Sequence, residues 1–359
     1  MEHRFGEGEP FRVGIEDELL LVDDRSRRLR PAAVEVLAAM DAPSERAAHE
    51  AYAASIELRG GPSPNAVEAT RGLEELRRRA RQCGATLIGA GVHPQGGLGD
   101  AELVDEERYL RVLGEMRGLL QRTPECALHV HVGMPDPVAA VRAFNGMRRW
   151  LPVLEGLGAS SPYWFGVDSG LASARAALVR AYPGRGVPPA LRDFDDYGAR
   201  LDEVAAGGGP GDYTLLWWDV RLHPRLGTVE VRELDAQSRL GDVAALAALV
   251  RGLALHEAET GGESPPTAAI GWSSFHAARD GLEAEILHGE RRVPLPDAAR
   301  DAVELARPHA LEAGDADVLA GIERILREGN GADRQRAAFG RGGAEEVLDL
   351  LVRETAEPL

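Results

Sequence analysis

Apolar and polar residues alternate along six segments of the chain, and this alternation predicts β-strands. The predicted strands span residues 11–22, 50–58, 85–92, 126–133, 213–222 and 228–234. Other segments carry apolar residues at helical spacing, which predicts helices at residues 31–40, 64–83, 106–122, 136–157 and 239–259. The chain from residue 271 onward is predicted to be helical, apart from a turn or hairpin at 289–294.

The order of these elements favours an α+β fold. Strands and helices do not alternate regularly, and the loop between the last two predicted strands is too short for a parallel crossover. We therefore predict a mainly antiparallel sheet with helices on one face and the other face open. We also predict one catalytic domain over residues 1–359, with a core of sheet and helices at about 11–260 and a helical part at about 271–357.

Charged side chains share a face on three of the predicted strands, because residues two apart in a strand point the same way. The pairs that share a face are Glu16 with Glu18, His129 with His131, and Glu230 with Arg232. Alone, each of the two pairs that contain glutamate is typical of a solvated surface, and the histidine pair is typical of one core and one surface histidine. Three strands each carry apolar residues on one face and charged or histidine residues on the other. This combination predicts one shared site.

Further candidates carry weaker signals. Glu50 and Glu57 are seven residues apart, so they reach one site only if the backbone bends between them. Arg221 lies on the neighbouring predicted strand, where an ordinary surface ion pair would also explain it. The His-x-His pattern of His129 and His131 is a moderately specific metal signal, which hydrolases of several folds also use.

The basic residues of this chain are all arginines, since none of the 41 is a lysine. A Walker A loop, a protein-kinase ATP site and a Schiff-base enzyme each use a lysine, so the composition argues against these classes. Several carboxylates with one or two histidines form a hard-ligand set, suited to Mg²⁺ or Mn²⁺ more than to Zn²⁺. Arginines beside such a set suit phosphate oxygens. The combination predicts phosphoryl transfer from ATP by metal ions and arginine.

The overall composition argues against several classes of binding partner. The net charge of −17 argues against nucleic acid and anionic membranes as partners. The sequence contains no apolar stretch of the ~20 residues that a membrane span requires. Cys83 and Cys126 are the two cysteines, and so few in a chain of 359 residues predict reduced thiols and a cytoplasmic protein.

Several motifs together resemble a known enzyme family. They are Gly14-Ile15-Glu16-Asp17-Glu18, His129-Val130-His131-Val132-Gly133, Ala159-Ser160-Ser161-Pro162-Tyr163-Trp164, Trp218-Asp219-Val220-Arg221 and Thr228-Val229-Glu230-Val231-Arg232. In order and spacing, from about Phe11 to the C-terminus, they are similar to the bacterial carboxylate–amine ligases of the glutamate–cysteine ligase type 2 family. That family belongs to the glutamine synthetase superfamily.

The resemblance implies a role for individual residues. Metal ligands would be Glu16, Glu18, Glu50, Glu57, His129 and Glu230. Arg232 would meet the γ-phosphate and would form the catalytic set with Glu230 and Arg221. Contacts to the nucleotide would come from Arg232, Arg279 and His131.

The resemblance also implies a glutamine synthetase-like fold, in which a curved antiparallel sheet forms an open, funnel-shaped site. ATP would enter at one end and the amino-acid and amine substrates at the other, with Mg²⁺ or Mn²⁺ between them. A carboxylate would attack the γ-phosphate to form an acyl phosphate and ADP, and an amine would then displace phosphate. Glutamate and cysteine are the default substrates, and a homodimer is the expected assembly.

Two other functions stay open at this point. A metal-dependent hydrolase could use His129, His131 and the nearby carboxylates to hold a metal-bound water, and it would turn over without nucleotide. A non-catalytic relative could bind nucleotide or amino acid. The retained glutamates and histidines argue against the second alternative, because isolated buried carboxylates are costly without a metal.

Overall fold

A seven-stranded antiparallel sheet forms the centre of the computed structural model, which describes residues 1–262 and 264–359. The strands are β1 (Val13–Val22), β2 (Ala47–His49), β3 (Ser55–Ser63), β4 (Thr86–Ile88), β5 (Ala127–Gly133), β6 (Tyr163–Trp164), β7 (Val167–Asp168), β8 (Val220–His223), β9 (Thr228–Asp235), β10 (Glu285–His288) and β11 (Arg291–Pro294). The large sheet has the order β2-β3-β1-β5-β9-β8, and β4 pairs with the end of β1. β6 pairs with β7, and β10 with β11, in two small hairpins.

The described residues form thirteen α-helices. They are α1 (Ala33–Met40), α2 (Ala66–Gln82), α3 (Glu107–Met116), α4 (Pro137–Met147), α5 (Leu151–Gly158), α6 (Ala174–Val179), α7 (Phe194–Ala206), α8 (Leu240–Thr260), α9 (Thr267–Asp280), α10 (Leu295–Ala313), α11 (Ala316–Leu319), α12 (Gly321–Glu328) and α13 (Gly331–Ala356). α13 is interrupted by non-helical backbone at Gly342 and Gly343. The predicted α+β class with an open antiparallel sheet is confirmed.

The apolar back of the sheet packs against α2, α4 and α8. Gly60 of β3 allows the closest approach, because a Cβ atom at this position would lie 2.2 Å from the carbonyl oxygen of Ala69 in α2. α8 is apolar on nearly every side, which is the pattern of a fully buried helix. The cause is that α10, α11 and α12 cover the side of α8 that faces away from the sheet.

A bulge in β9 changes which way its side chains point. Val130 of β5 pairs with Val231, but Leu128 pairs with Leu234, so β9 has one extra residue between these pairs. Leu234 therefore packs in the same apolar core as Val231, although the two are an odd number of residues apart.

Several elements differ from their prediction. The predicted strand at 213–222 is a 3₁₀ turn at Tyr213–Leu215 followed by the shorter β8. Of the predicted strand at 50–58, only residues 55–58 lie in a strand, β3, because the chain turns at residues 50–54 after β2. The predicted helix at 136–157 is two helices, with Pro152 in the first turn of α5. α7 was not predicted, and Asp193 caps it by accepting a hydrogen bond from the backbone nitrogen of Asp196 (2.8 Å). Among the described residues, no helix has the length and apolar character needed to cross a bilayer.

Candidate functional site

The open face of the sheet gathers charged side chains from five strands. The antiparallel register places Glu16 opposite His129, Glu18 opposite Glu57, and His131 opposite Glu230. Arg221 of β8 also lies opposite Glu230. The alternation of the strands points the apolar residues between these positions into the core, so the charged ones are left facing one another. The three pairs predicted from sequence therefore do share one face.

Two groups of these side chains have the spacing of a metal site. Glu16, Glu57 and His129 form one group, and Glu16, His131 and Glu230 form the other. Within each group, the candidate ligand atoms lie within 4.8 Å of one another. Glu16 belongs to both groups, so it is the residue through which two cation positions would be linked.

The histidine nitrogens in this cluster support a cation. His129 Nδ1 lies 3.0 Å from Glu16 Oε2, so a neutral ring carries its proton on Nδ1 and keeps a lone pair on Nε2. Nε2 of His129 is buried, has no hydrogen-bond partner among the described residues, and lies 3.8 Å from Glu18 Oε1. Nε2 of His131 is likewise buried, 3.6 Å from both Glu16 Oε1 and Glu230 Oε1. Such gaps between buried ligand atoms fit an ion that would bridge them.

Two carboxylates of the cluster, Glu50 and Glu57, are poorly neutralised by the protein itself. Burial, followed by repulsion from Glu16 and Glu50, raises the pKa of Glu57 well above its usual range. Burial, followed by repulsion from Glu18 and Glu16, raises the pKa of Glu50 to about 7. Crowded buried carboxylates with raised pKa values are stabilised by a divalent cation, and a set dominated by oxygen ligands fits Mg²⁺ or Mn²⁺.

Histidine protonation differs between the two groups. Burial, followed by the charge of Arg232, lowers the pKa of His129 to about 3, so this ring is neutral and ready to act as a ligand. Burial also opposes the charged form of His131, but the carboxylates of Glu230 and Glu16 outweigh it and raise the pKa of His131.

Glu230 is held by two arginines. Arg221 Nε and Nη2 donate to Glu230 Oε2 (2.9 and 2.8 Å), and Arg232 Nη1 contacts Glu230 Oε1. These cations outweigh the burial of Glu230 and lower its pKa below the usual range. Arg221 also donates to the backbone carbonyls of Thr214 and Leu216, so it orients Glu230 from behind.

Arg232 keeps a free donor on the open face. Its Nε is buried, and no described residue accepts a hydrogen bond from it. Arg232 lines a cavity beside the cluster, whereas Arg221 does not line it. The two predicted arginines therefore differ in their surroundings. Arg232 lines the cavity, whereas Arg221 is surrounded by other residues of the protein.

Two cavities meet the cluster from opposite ends of the strands. The wide cavity, of about 300 Å³, is bounded by Gly14, Glu16, Arg59, His131 and Thr228, among others. The narrow cavity, of about 140 Å³, begins at Glu18, His129 and Arg232. Its remaining lining residues are Glu50, Ala51, Tyr52, Arg108, Tyr109, Val112, Leu120, Glu125, Arg175, Tyr182, Arg185, Leu215 and Trp217.

One predicted site residue lies away from both cavities. Arg279 is on α9, half exposed, and Nη2 of its guanidinium pairs with Asp280 at 2.7 Å. Its contact with nucleotide stays a prediction. Glu50 does reach the cluster, because the chain bends between β2 and β3 and brings it toward Glu16 and Glu18.

Other charged residues near the cluster were not predicted. Arg59 contacts Glu57 and lies 3.9 Å from Glu16. Its position two residues after Glu57 on the same strand was a signal that sequence reasoning could have used. Arg185 and Glu125 line the narrow cavity from loops, and no local pattern marks them.

The sequence matches a known family over almost its whole length. The profile of glutamate-cysteine ligase family 2 aligns with residues 12–354. The chain belongs to this ligase family. A Rubrobacter xylanophilus member, provisionally named glutamate–cysteine ligase 2-3, is 39% identical over 365 residues, which cover 99% of this chain and 100% of that protein. A Thermobifida fusca member with the provisional name glutamate–cysteine ligase 2 is 33% identical over 359 residues, or 95% of this chain and 90% of that protein.

Solved structures show that this family member has a glutamine synthetase-like fold. The glutamate–cysteine ligase from Francisella tularensis, crystallised with AMP, superposes with a TM-score of 0.72 at 13% identity, covering 99% of this chain and 89% of that one. A bifunctional glutathione synthetase from Pasteurella multocida superposes with a TM-score of 0.64 at 13% identity, covering 96% of this chain and 52% of that one. At this identity the likeness concerns the fold.

Proposed function

We propose that this protein is an ATP-dependent carboxylate–amine ligase, with glutamate and cysteine as the default substrates. The observation that carries the proposal is the position of Arg232. It presents a free buried nitrogen in the narrow cavity, beside a cluster of potential metal ligands. Membership in a ligase family supports the same reaction class.

In this proposal ATP takes the wide cavity and the amino acid takes the narrow one. Mg²⁺ or Mn²⁺ bound to Glu16, Glu57, His129, His131 and Glu230 would neutralise phosphate charge and fix the γ-phosphoryl group. Arg232 donates hydrogen bonds to the oxygens of the transferring group, where negative charge accumulates. Arg221 keeps Glu230 ionised and in place, so it is a positioning residue.

The reaction then proceeds in two displacements. The substrate carboxylate oxygen attacks the γ-phosphorus, the bond to ADP breaks, and an acyl phosphate forms. The neutral amine next attacks the acyl carbon, phosphate leaves, and the nitrogen releases a proton as the amide forms. The chain contributes orientation and charge stabilisation to both steps and no covalent bond.

The test is release of ADP and phosphate from ATP and Mg²⁺ in the presence of glutamate, with and without a panel of amines. Mass spectrometry identifies the product. We expect ADP to form only when a carboxylic acid is present. We expect an amide product only when one particular amine is also added. Hydrolysis of an ester or amide in the absence of nucleotide would instead support the hydrolase alternative.

The remaining expectations follow from the same proposal. The partners would be small amino acids and amines, in the cytoplasm, and the assembly would be a homodimer. Sedimentation velocity measures the assembly directly, because a dimer of this 38.5 kDa chain sediments well apart from the monomer.

A further inference from the structure

Arg59 places a positive charge beside one of the two candidate metal groups. It lies on β3 directly opposite Glu16 of β1, two residues after Glu57. Strand alternation therefore points Arg59 to the same face of the sheet as Glu57. Nη2 of Arg59 contacts Glu57 Oε1, and its Nε lies 3.9 Å from Glu16 Oε1. The guanidinium thus lies next to two of the three residues that form this group, the third being His129.

This guanidinium competes with a divalent cation for the same carboxylates. The candidate ligand atoms of Glu16, Glu57 and His129 lie within 4.8 Å of one another, so an ion among them would also be close to Arg59. Two positive charges at such a separation repel each other strongly when they are partly buried. Occupation of the group by a metal ion therefore favours withdrawal of Arg59 from Glu57.

The side chain of Arg59 can move while its backbone stays in the sheet. The backbone pairs with β1, and its carbonyl oxygen accepts a hydrogen bond from Nε of Arg46 (3.0 Å). The side chain is 33% exposed and borders the wide cavity. Its Nη1 donates to the carbonyl oxygen of Ser44, an exposed residue (2.9 Å). Open space for a second position of the guanidinium therefore lies on the side of the wide cavity.

Arg59 differs from the other arginines that border the wide cavity. Arg4 pairs with Glu7 (2.7 Å) and Arg12 pairs with Glu9 (2.9 Å), and both of these acids are exposed and lie outside the cluster. Among the arginines of this cavity, Arg59 is the one that pairs with a candidate metal ligand. Its position is therefore linked to the occupancy of the metal group.

We propose that Arg59 is an exchangeable counter-ion of Glu57. It yields this carboxylate to a divalent cation, and its freed guanidinium then binds phosphate oxygens in the wide cavity, for which its fork of donors is suited. The second half of this inference rests on the proposed function, since it takes nucleotide as the ligand of that cavity. Arg59 would thereby couple metal binding to nucleotide binding, and such a coupling acts equally in both directions.

The first test measures Mn²⁺ binding without nucleotide, from the electron paramagnetic resonance signal of free Mn²⁺. We expect Arg59→Met to bind Mn²⁺ at least about tenfold more tightly than the wild type, because the competing charge is gone. Arg59→Lys keeps a positive charge and should stay close to the wild type. Arg12→Met removes a charge from the same cavity but away from the cluster, so it is the matched control and should change the affinity little.

A Glu57→Gln background shows where the effect arises. The carboxylate for which Arg59 and the metal ion compete is then absent. Adding Arg59→Met to Glu57→Gln should therefore change the Mn²⁺ affinity by no more than about twofold. Thermal unfolding of each variant verifies that it is folded. Arg59→Gln takes the place of Arg59→Met, with the same expected results, if the methionine variant does not fold.

The second test measures ADP affinity by isothermal titration calorimetry, at saturating Mn²⁺ and in EDTA. With Mn²⁺, Arg59→Met should bind ADP at least about tenfold more weakly than the wild type, because a charged donor to phosphate is lost. In EDTA the two proteins should bind ADP equally, since Arg59 then stays with Glu57. A residue that only shapes the cavity would alter the affinity under both conditions.

Three outcomes would count against these roles. Mn²⁺ binding that is unchanged or weaker in Arg59→Met would mean that Arg59 only orients Glu57, and the inference would be overturned. An ADP affinity that this substitution lowers equally in Mn²⁺ and in EDTA, or leaves unchanged in both, would overturn it as well. If the wild type binds no ADP under either condition, the proposed function fails. The Mn²⁺ measurements alone then decide whether Arg59 is an exchangeable counter-ion.

Discussion

Arg77 of α2 makes a buried bidentate ion pair with Asp17 of β1. Its Nε donates to Asp17 Oδ2 (2.8 Å), and its Nη2 donates to Oδ1 (3.1 Å). Asp17 stands between Glu16 and Glu18 in the sequence, but its side chain points to the opposite face of the sheet. Asp17 lies between two candidate ligands in the sequence, but it is therefore a structural residue. Its ion pair ties α2 to β1 behind the site.

Arg77→Met should destabilise the protein strongly. It leaves the Asp17 charge buried without its partner, and it removes donors from the carbonyls of Gln237 and Ser238. We expect a loss of about 3–5 kcal/mol in the free energy of unfolding, measured by urea denaturation. Arg78→Met, which breaks an exposed pair with Glu75, is the control and should change little. A similarly small effect of both substitutions would contradict the structural role of Asp17.

Glu16 should be the residue on which metal binding depends most. It belongs to both candidate groups, whereas His131 belongs to one. Mn²⁺ at about 100 times its dissociation constant should stabilise the wild type by about 2.7 kcal/mol. We expect Glu16→Gln to lose most of this effect and His131→Asn to lose only part of it, as measured by thermal unfolding with and without Mn²⁺. If His131→Asn were the more damaging change, the shared role of Glu16 would be wrong.

Glu50 should make the metal-free protein less stable as pH rises, whereas the lowered pKa of His129 acts in the opposite direction. The pKa of Glu50 is raised to about 7 in the folded protein, compared with about 4.3 in an unfolded chain. Between these values the folded protein keeps a proton that the unfolded chain has released, so the free energy of unfolding decreases as pH rises. Glu57 contributes in the same direction.

Two measurements check this pH dependence. Between about pH 4.5 and 7, the unfolding midpoint of Glu50→Gln should fall less, or rise more, with pH than that of the wild type. Added Mg²⁺ should stabilise the wild type more at pH 8 than at pH 5.5, because the ligands must lose their protons to bind it. Stabilisation by Mg²⁺ that is equal at both pH values would contradict the carboxylate cluster as its site.

Arg232 and Arg221 should respond differently to the same substitution. Arg232→Met removes the free donor and one of the two ion pairs of Glu230, and we expect ADP formation to fall about 10²–10³-fold with a smaller loss of stability than Arg221→Met causes. Arg221→Met removes the partner that fixes Glu230, and we expect a loss of about 3–5 kcal/mol in the free energy of unfolding. Turnover and unfolding measured on both variants distinguish the two roles. The assignment would be refuted if Arg221→Met mainly reduced turnover and Arg232→Met mainly reduced stability.

Local sequence patterns predicted those parts of the site that regular strands carry. Glu16, Glu18, His129 and His131 share a face because strand alternation has a fixed period of two. Glu50 could not be placed by this rule, since its position depends on a bend between two short strands. The predicted fold class followed from the short connection between β8 and β9, which only antiparallel pairing permits.

The parts of the site that the sequence did not predict depend on long-range packing. Arg185 and Glu125 reach the narrow cavity from loops, through contacts with residues distant in sequence, which no local pattern encodes. α7 is a different case, since Asp193 and the apolar residues Phe194, Tyr197 and Leu201 carry a helical signal that the prediction overlooked. Pro152 likewise marked the start of a second helix within the segment predicted as one.

The opposed cavities have a consequence for the kinetics of the proposed reaction. Because they approach the cluster from opposite ends of the same strands, a molecule in one does not obstruct the path into the other. Nucleotide and amino acid can therefore add in either order, and reciprocal plots of initial rate should intersect. ADP can also depart by its own route while the activated acid stays in the narrow cavity, where the amine attacks it.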